Sequence, residues 1–491
     1  MRKGLAVCLL VGCATATPPD APKKKKYEPR PELGERTPRS EAPAVDAMSA
    51  QKLPVAIVGG KVWVGDGRVI EDATILFEGG RLTGVGPSKD VAVPAEAMRF
   101  EAKGKLITPG LIDTHSHIGV YPVPYVLAHA DGNEMTDPTT PYVFSEHSFW
   151  PQDPSIQRIV AGGVTTAQIL PGSGNIIGGR AVTLKLRPSL DARAMRFPNA
   201  PNGLKMACGE NPKRVYGTQG RAPMSRMGSI SKLRAAFIEA RAYRHDQRVA
   251  EIDREEWKKK VAAAKAKPDD ADDPGKEPFA PPRDLGKETL ADALEGVLQV
   301  QVHCYRADEM LMMIELSKEL GFKIASFHHA VEAYKIADVL AREGVGASMW
   351  ADWWGFKIEA YDGIEENAAI VAAAGGLAII HSDSAIGAQR LNQEAAKALY
   401  AGKRAGLLLE EEQAIAWITK NPATALGVAA QTGTVEIGKM ADLVVWDRNP
   451  FSVYAVAEKV FVDGVLAHDT DAPGPTWSDF EVGTAIEGGW R

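Results

Sequence analysis

Cysteine is scarce: four residues in a chain of 491, none of them forming a CxxC pair, which excludes a disulfide scaffold. An excess of charge of one sign is missing too. Lys and Arg number 57 against 63 Asp and Glu, a net of -6, which leaves no electrostatic footprint for nucleic acid. Beyond the N-terminus no stretch reaches the roughly 18 uninterrupted apolar residues that a membrane-spanning helix needs. Hydrophobic residues at 45% and charged residues at 24% are ordinary for a globular protein, so collagen-like, coiled-coil and wholly disordered chains are set aside. Histidine numbers only ten, few enough to be read position by position.

The first residues carry an address. Arg2 and Lys3 precede the short apolar run Gly4 to Gly12, and Leu10-Val11-Gly12-Cys13 resembles a bacterial lipobox. Residues 1–12 are therefore expected to be a lipoprotein signal peptide, with Cys13 the lipidation site; an ordinary leader that happens to contain cysteine is the alternative. Residues 13–52 are rich in Pro, Lys, Glu and Arg, include Lys23 to Lys26, and read as a disordered linker. The expected location is extracytoplasmic, in the periplasm or at the cell surface, with membrane contact through the lipid alone.

Residues 53–105 hold short strands and turns, such as AIVGGKVWVGDG. From 106 to 425 apolar strands alternate with helical stretches, and about eight such units favour an α/β barrel. A charged insertion at 244–290 reads as a helical extension followed by an exposed loop. Short strands return at 426–470, before a tail at 471–491, and the two strand sets are expected to form one small β domain.

In such a barrel the chemistry sits where strands end at the C-terminal face. The first strand ends Asp113-Thr114-His115-Ser116-His117; side chains two apart share a face, so both imidazoles can address one centre. The fifth strand runs Gln299, Gln301 and His303 along one face. The sixth ends Phe327-His328-His329, whose neighbouring rings should point opposite ways, and the eighth ends His381-Ser382-Asp383. One buried imidazole is usually a hydrogen-bonded core residue. Four strand-terminal placements in a single alternating pattern point to a metal centre.

ITPGLIDTHSH, AGGVTTAQILPGSGNIIGG, the spaced histidines, HSDS, NPATALG and GTVEIGKMADLVVWD together resemble the amidohydrolase superfamily, specifically its imidazolonepropionase-like branch, from about Val55 to about His468. The resemblance implies a distorted (β/α)8 barrel with a composite β-sandwich built from both chain ends. It implies metal ligands at His115, His117, His303 and His329. His329 is preferred over His328 because His329-Ala330-Val331-Glu332-Ala333 is similar to the family's His-Gly-x-Glu-Ala, with alanine in place of the usual glycine. Asp383 matches the aspartate that binds metal and shuttles the proton. Lys205 sits where two-metal members carry a carboxylated lysine that bridges the metals, and Glu210 is the rival bridging carboxylate. His328 and His381 are left as outer hydrogen-bond donors or core residues. Zinc is the first expectation, one ion or two, with Fe, Mn and Co as alternatives.

The chemistry expected from this resemblance is hydrolysis of a carbon–nitrogen bond by metal-activated water, with Asp383 moving the proton and His303 or His381 steadying the oxyanion. A dipeptide, an N-acyl compound or a cyclic amide would suit as the small-molecule substrate. Arg214, Tyr216 and Arg221, with Lys213 and Arg226 nearby, form a basic cluster that leans toward a substrate carboxylate, with scaffold ion pairs as the plainer reading. Deamination of a ring amine and a non-catalytic metal-binding lipoprotein remain as alternatives, and self-association is left open. Pro171 to Asn175 has the glycines of a phosphate loop without its Lys-Ser/Thr ending, and reads instead as a tight loop at the barrel mouth. Trp350, Trp353 and Trp354 are candidates for a pocket wall. Cys208 and Cys304 are read as free buried thiols, with a disulfide left undecided.

Overall fold

The computed structural model describes residues 51–266 and 273–472. The expected signal peptide, Cys13, nearly all of the linker and most of the C-terminal tail lie outside the described residues. No helix among those described is long and apolar enough to cross a membrane.

Five strands open the described chain: β1 (Val55–Trp63), β2 (Val69–Glu78), β3 (Arg81–Pro87), β4 (Met98–Glu101) and β5 (Leu106–Pro109). The barrel strands follow: β6 (Leu111–Ser116), β7 (Val164–Ile169), β8 (Ile177–Lys185), β9 (Gly203–Ala207), β10 (Gln299–Cys304), β11 (Ile324–His329), β12 (Gly346–Met349) and β13 (Ala378–Ile380). The chain ends on β14 (Leu443–Trp446), β15 (Ala457–Val462) and β16 (Val465–Asp469).

Strands from the two ends of the chain share one sheet, in the order β16-β15-β14-β5-β1-β2-β3 with β4 beside β1. The join is the antiparallel pair β5–β14, from Leu443 opposite Pro109 to Trp446 opposite Leu106. Alternating β-branched and aromatic residues supply its apolar face, where Ile57, Ile75, Phe77, Ile107, Leu443 and Phe461 are buried together.

The second sheet runs in sequence order from β6 to β13. β6, β7 and β9 are buried at every position, as expected of strands covered on both faces. The repeated β-then-α pattern has one exception. β8 is antiparallel to both β7 and β9. The reason is the connection: Leu170 to Ile176 holds no helix, and a parallel return needs a crossover of a dozen residues or more. The Pro171-Gly172-Ser173-Gly174-Asn175 segment is thus the turn of a β-hairpin at the barrel mouth. Its Gly172 and Gly174 amides donate to the Gly132 carbonyl (2.7 Å) and to Asn133 Oδ1 (3.1 Å). Between the first and last strands, Asp383 N donates to the His115 carbonyl (3.0 Å) and Ser382 N to Asp113 Oδ1 (3.1 Å). These bonds bring the HSD segment against the DTHSH segment.

The helix Arg226–Ala266 begins earlier than the charged insertion read from composition. Its first turns belong to the barrel: Leu233, Phe237 and Ala240 are buried in the main core, and Phe237 stacks on Phe322 with centroids 4.6 Å apart. Residues His245–Pro281 separate as a compact unit, within which Arg254 pairs with Glu277 at 2.8 Å.

Cys208 and Cys304 form a disulfide, so the free-thiol reading is corrected. The parallel register of β9 with β10 brings the two strand ends side by side, and the bridge closes a loop spanning 96 positions that contains the long helix. Cross-linking so long a loop restricts the unfolded chain, so Cys208→Ser should cost about 2–4 kcal/mol. Thermal melts check this: reductant should lower the Tm of the parent toward that of the variant and leave the variant unchanged. Equal melting of both proteins would remove the bridge's contribution.

Candidate metal centre

The strand ends gather the histidines. The ring centroid of His115 lies 5.0 Å from that of His117, 4.7 Å from His329 and 5.1 Å from His381, while His303 lies 4.5 Å from His329. Asp383 enters the group through Oδ1, 3.3 Å from His117 Nε2 and 3.6 Å from His115 Nε2, and through Oδ2, 3.9 Å from His329 Nδ1. The expected ligands His115, His117, His303, His329 and Asp383 therefore share one centre, with Lys205 Nζ 3.4 Å from His115 Nε2.

The sixth strand corrects the rule that neighbouring residues face opposite ways. Both His328 and His329 reach His115, with centroids at 4.8 and 4.7 Å. The backbone explains it: His329 (φ 69°) and Ala330 (φ 35°) adopt left-handed conformations that end the pleat and swing His329 inward. Asp383 is also left-handed (φ 51°), and such conformations concentrate at functional sites.

The donor set fits a divalent cation. His117 Nδ1 lies 2.8 Å from the Leu170 carbonyl, which can only accept, so Nδ1 carries a hydrogen and Nε2 is the nitrogen turned to the centre. That Nε2 sits 3.2 Å from His115 Nε2 and 3.3 Å from a carboxylate oxygen. His303 is buried with both ring nitrogens lacking a hydrogen-bond partner among the described residues, and His329 Nδ1 lacks one too. Buried imidazoles are rarely left in that state. His115, His117 and Asp383 are spaced to grip an ion; His115, His329 and His381 are equally close, but His381 Nε2 already accepts from the His329 amide. Burial holds the pKa of His115, His303 and His329 well below the usual imidazole range, so these rings are neutral and available as ligands. Burial likewise lowers Lys205 to about 7, against the opposing pull of Asp383.

Among the described residues Glu210 belongs to neither group spaced to hold an ion. Beyond Gly209 it opens the helix Glu210–Gly217, and its carboxylate lies 4.0 Å from Lys357 Nζ. Tyr216 is buried, and its hydroxyl lies 2.8 Å from the Asp137 carbonyl and 2.5 Å from Asn175 Oδ1, with one hydrogen to share between them. Arg221 donates to the Thr136 carbonyl and lies over the Tyr216 ring. Both tie this segment to residues 136–137, while Arg214 points to solvent.

Trp350 stacks on His329 with centroids 4.2 Å apart and on Trp353 at 5.0 Å, and together with Trp354 they line a cleft beside that imidazole. Two residues at the site were not singled out from the sequence. Tyr305 stacks on His329 (5.1 Å) and meets His303 edge-on (4.9 Å), and Lys357 Nζ sits 3.8 Å above the Tyr305 ring. Tyr305 lies two positions after His303, so face-sharing could have found it. Lys357 comes from a loop after β12 and carries no such signal.

A family model described as "Amidohydrolase family" matches residues 106–468. "Amidohydrolase tasK" of Hapsidospora irregularis is 35% identical over 427 residues, covering 84% of this chain; the chain spans only 41% of that relative's length. An imidazolonepropionase of Rhizobium rhizogenes is 23% identical over 446 residues, covering 82% of this chain and 93% of its own. Among solved structures, an amidohydrolase from Thermotoga maritima superposes with a TM-score of 0.72 at 32% identity, covering 84% of this chain and 99% of its own.

Proposed function

This chain belongs to the amidohydrolase family, and from that premise we propose that it is a metal-dependent hydrolase cleaving a carbon–nitrogen bond, an amide, in a small molecule. The observation that carries the proposal is the convergence of imidazole nitrogens, several without a hydrogen-bond partner among the described residues, and the Asp383 carboxylate on one centre. His115, His117, His303, His329 and Asp383 would hold the ion, with Lys205 at its edge, and zinc suits such nitrogen and oxygen donors. A bound divalent cation supplies Lewis acidity, which makes water nucleophilic near neutral pH and polarises the carbonyl.

Asp383 does the proton work in this proposal. Its carboxylate accepts the proton of the attacking water as the carbon–oxygen bond forms. It then returns that proton to the leaving nitrogen as the carbon–nitrogen bond breaks. His381 accepts a bond from the His329 amide at Nε2 (3.2 Å), so its hydrogen is on Nδ1, where it has no partner among the described residues. That N–H is a preformed donor for the developing oxyanion. Lys205, kept from a full charge by burial, has the free amine that addition to carbon dioxide requires, forming a carbamate and releasing a proton. The Trp350–Trp353 wall suits an apolar group on the substrate.

Metal analysis and a screen of dipeptides, N-acyl amino acids and cyclic amides test the proposal. Purified protein should hold one to two equivalents of transition metal, lose activity to a chelator and regain it with zinc. Folded protein that neither contains nor binds metal would sink it, and ammonia as the first product would favour deamination. We propose separately that the protein lies outside the cytoplasm, anchored through Cys13; the Cys208–Cys304 disulfide supports an oxidising compartment. Mature membrane-extracted protein without lipid on Cys13 would overturn that placement.

A further inference from the structure

A buried chain of three side chains runs from a backbone carbonyl to the edge of the centre. Gln301 Nε2 lies 3.3 Å from the Ala425 carbonyl, Gln301 Oε1 lies 2.8 Å from His328 Nε2, and His328 Nδ1 lies 2.8 Å from His115 Nδ1. Gln301, His328 and His115 are all fully buried. We infer that Gln301 and His328 are positioning residues that set the tautomer of His115, so that its Nε2 reaches the metal centre as a bare lone pair.

The assignment follows from donors and acceptors alone. A backbone carbonyl only accepts, so the Gln301 atom facing Ala425 must be the amide NH2. Its Oε1 therefore faces His328 and accepts, which puts the His328 hydrogen on Nε2. A neutral imidazole carries one N–H, so His328 Nδ1 is an acceptor. Of the two nitrogens 2.8 Å apart, His115 Nδ1 must then donate, and His115 Nε2 is left without hydrogen. Surroundings agree at both ends. No carboxylate among the described residues hydrogen-bonds to His328 to favour a second proton, and Lys205 Nζ, which carries hydrogens to donate in either protonation state, lies 3.4 Å from His115 Nε2.

The two first-strand ligands are thus prepared differently. His117 is fixed by one bond to the Leu170 carbonyl, whereas His115 depends on a relay that ends on the helix Lys420–Ala425. That helix is the NPATALG segment of the sequence, so a motif remote from the strand ends acquires a part in the centre. The opposite tautomer of His115 would aim N–H at His117 Nε2 and Asp383 and break the bond to His328.

The metal part of this inference rests on the proposed hydrolase reading, and the test separates the two. Histidine labelled with nitrogen-15, in a chain with ten such residues, reports each tautomer by two-bond proton–nitrogen correlation in the metal-free full-length protein. His328 should carry its hydrogen on Nε2 and His115 on Nδ1; finding His115 protonated at Nε2 overturns the inference whether or not the protein binds metal. Zinc affinity, measured by competition with a chromophoric chelator, supplies the second arm. Gln301→Met removes the acceptor and should weaken zinc binding about 10–100-fold, with His328 becoming a mixture of tautomers. Unchanged zinc affinity in Gln301→Met, or a loss there with the His115 and His328 tautomers unmoved, would overturn the relay.

Discussion

Asp383→Asn is expected to lower kcat by about 10²–10⁴-fold on any amide the parent cleaves, with a much smaller loss of zinc. The amide nearly matches the carboxylate in shape and cannot take up a proton at neutral pH. Asparagine also tolerates the left-handed backbone found at this position (φ 51°), so the HSD segment keeps its bond to the His115 carbonyl. His115, His117, His303 and His329 remain to hold the ion. Kinetics together with metal analysis of the same sample decide the outcome. A metal-loaded variant within tenfold of the parent would take the proton shuttle away from Asp383. A variant that loses both metal and activity would make Asp383 chiefly a ligand.

Much of this centre was legible in the sequence, because strands impose a period of two and barrels put chemistry at strand ends. Those two rules placed His115, His117, His303 and Asp383 together, and the structure brings His115, His117 and Asp383 to one point, with the His303 ring against that of His329. Where the period itself breaks, the reading fails. His328 and His329 both face inward because the strand stops on left-handed residues, and no residue type at those positions announces that. Lys357 escaped for another reason. Long irregular loops carry no period, so their side chains reach the site by tertiary folding alone.

The fold shows the same division. Two strand sets separated by more than 300 residues share a sheet, an arrangement suggested by the return of short strands after the barrel. The reversal of β8 was hidden in a connection rather than in a strand, since β8 is buried along nearly its whole length like the parallel strands beside it. The PGSGN segment reads as a tight loop at the barrel mouth, and nothing in it announces the hairpin that inverts a strand. The disulfide needed distances: Cys208 and Cys304 lie almost a hundred positions apart and meet only because β9 and β10 are adjacent.

Lys185→Met should destabilise the protein by about 3–5 kcal/mol, the cost of breaking a buried ion pair from one side. Lys185 is fully buried at the end of β8, where it pairs with Asp442 and, at 2.9 Å, with Asp463. Asp442 precedes β14 in the ADLVVWD motif and also accepts from the Thr432 hydroxyl (3.0 Å) and from Asp463 N (3.0 Å). One lysine of the barrel thereby fastens the sheet that both chain ends build. The two carboxylates should not suffer equally from its loss. Asp463 keeps Arg187 at 3.2 Å, whereas the ion pairs among the described residues give Asp442 no cation besides Lys185. Adding Asp442→Asn to Lys185→Met should therefore restore part of the lost stability by removing the stranded charge, while Asp463→Asn in the same background should restore less. Denaturant unfolding of the single and double variants measures the difference. An undiminished Cm in Lys185→Met, or equal rescue by the two asparagines, would show that this knot of charges contributes no net stability.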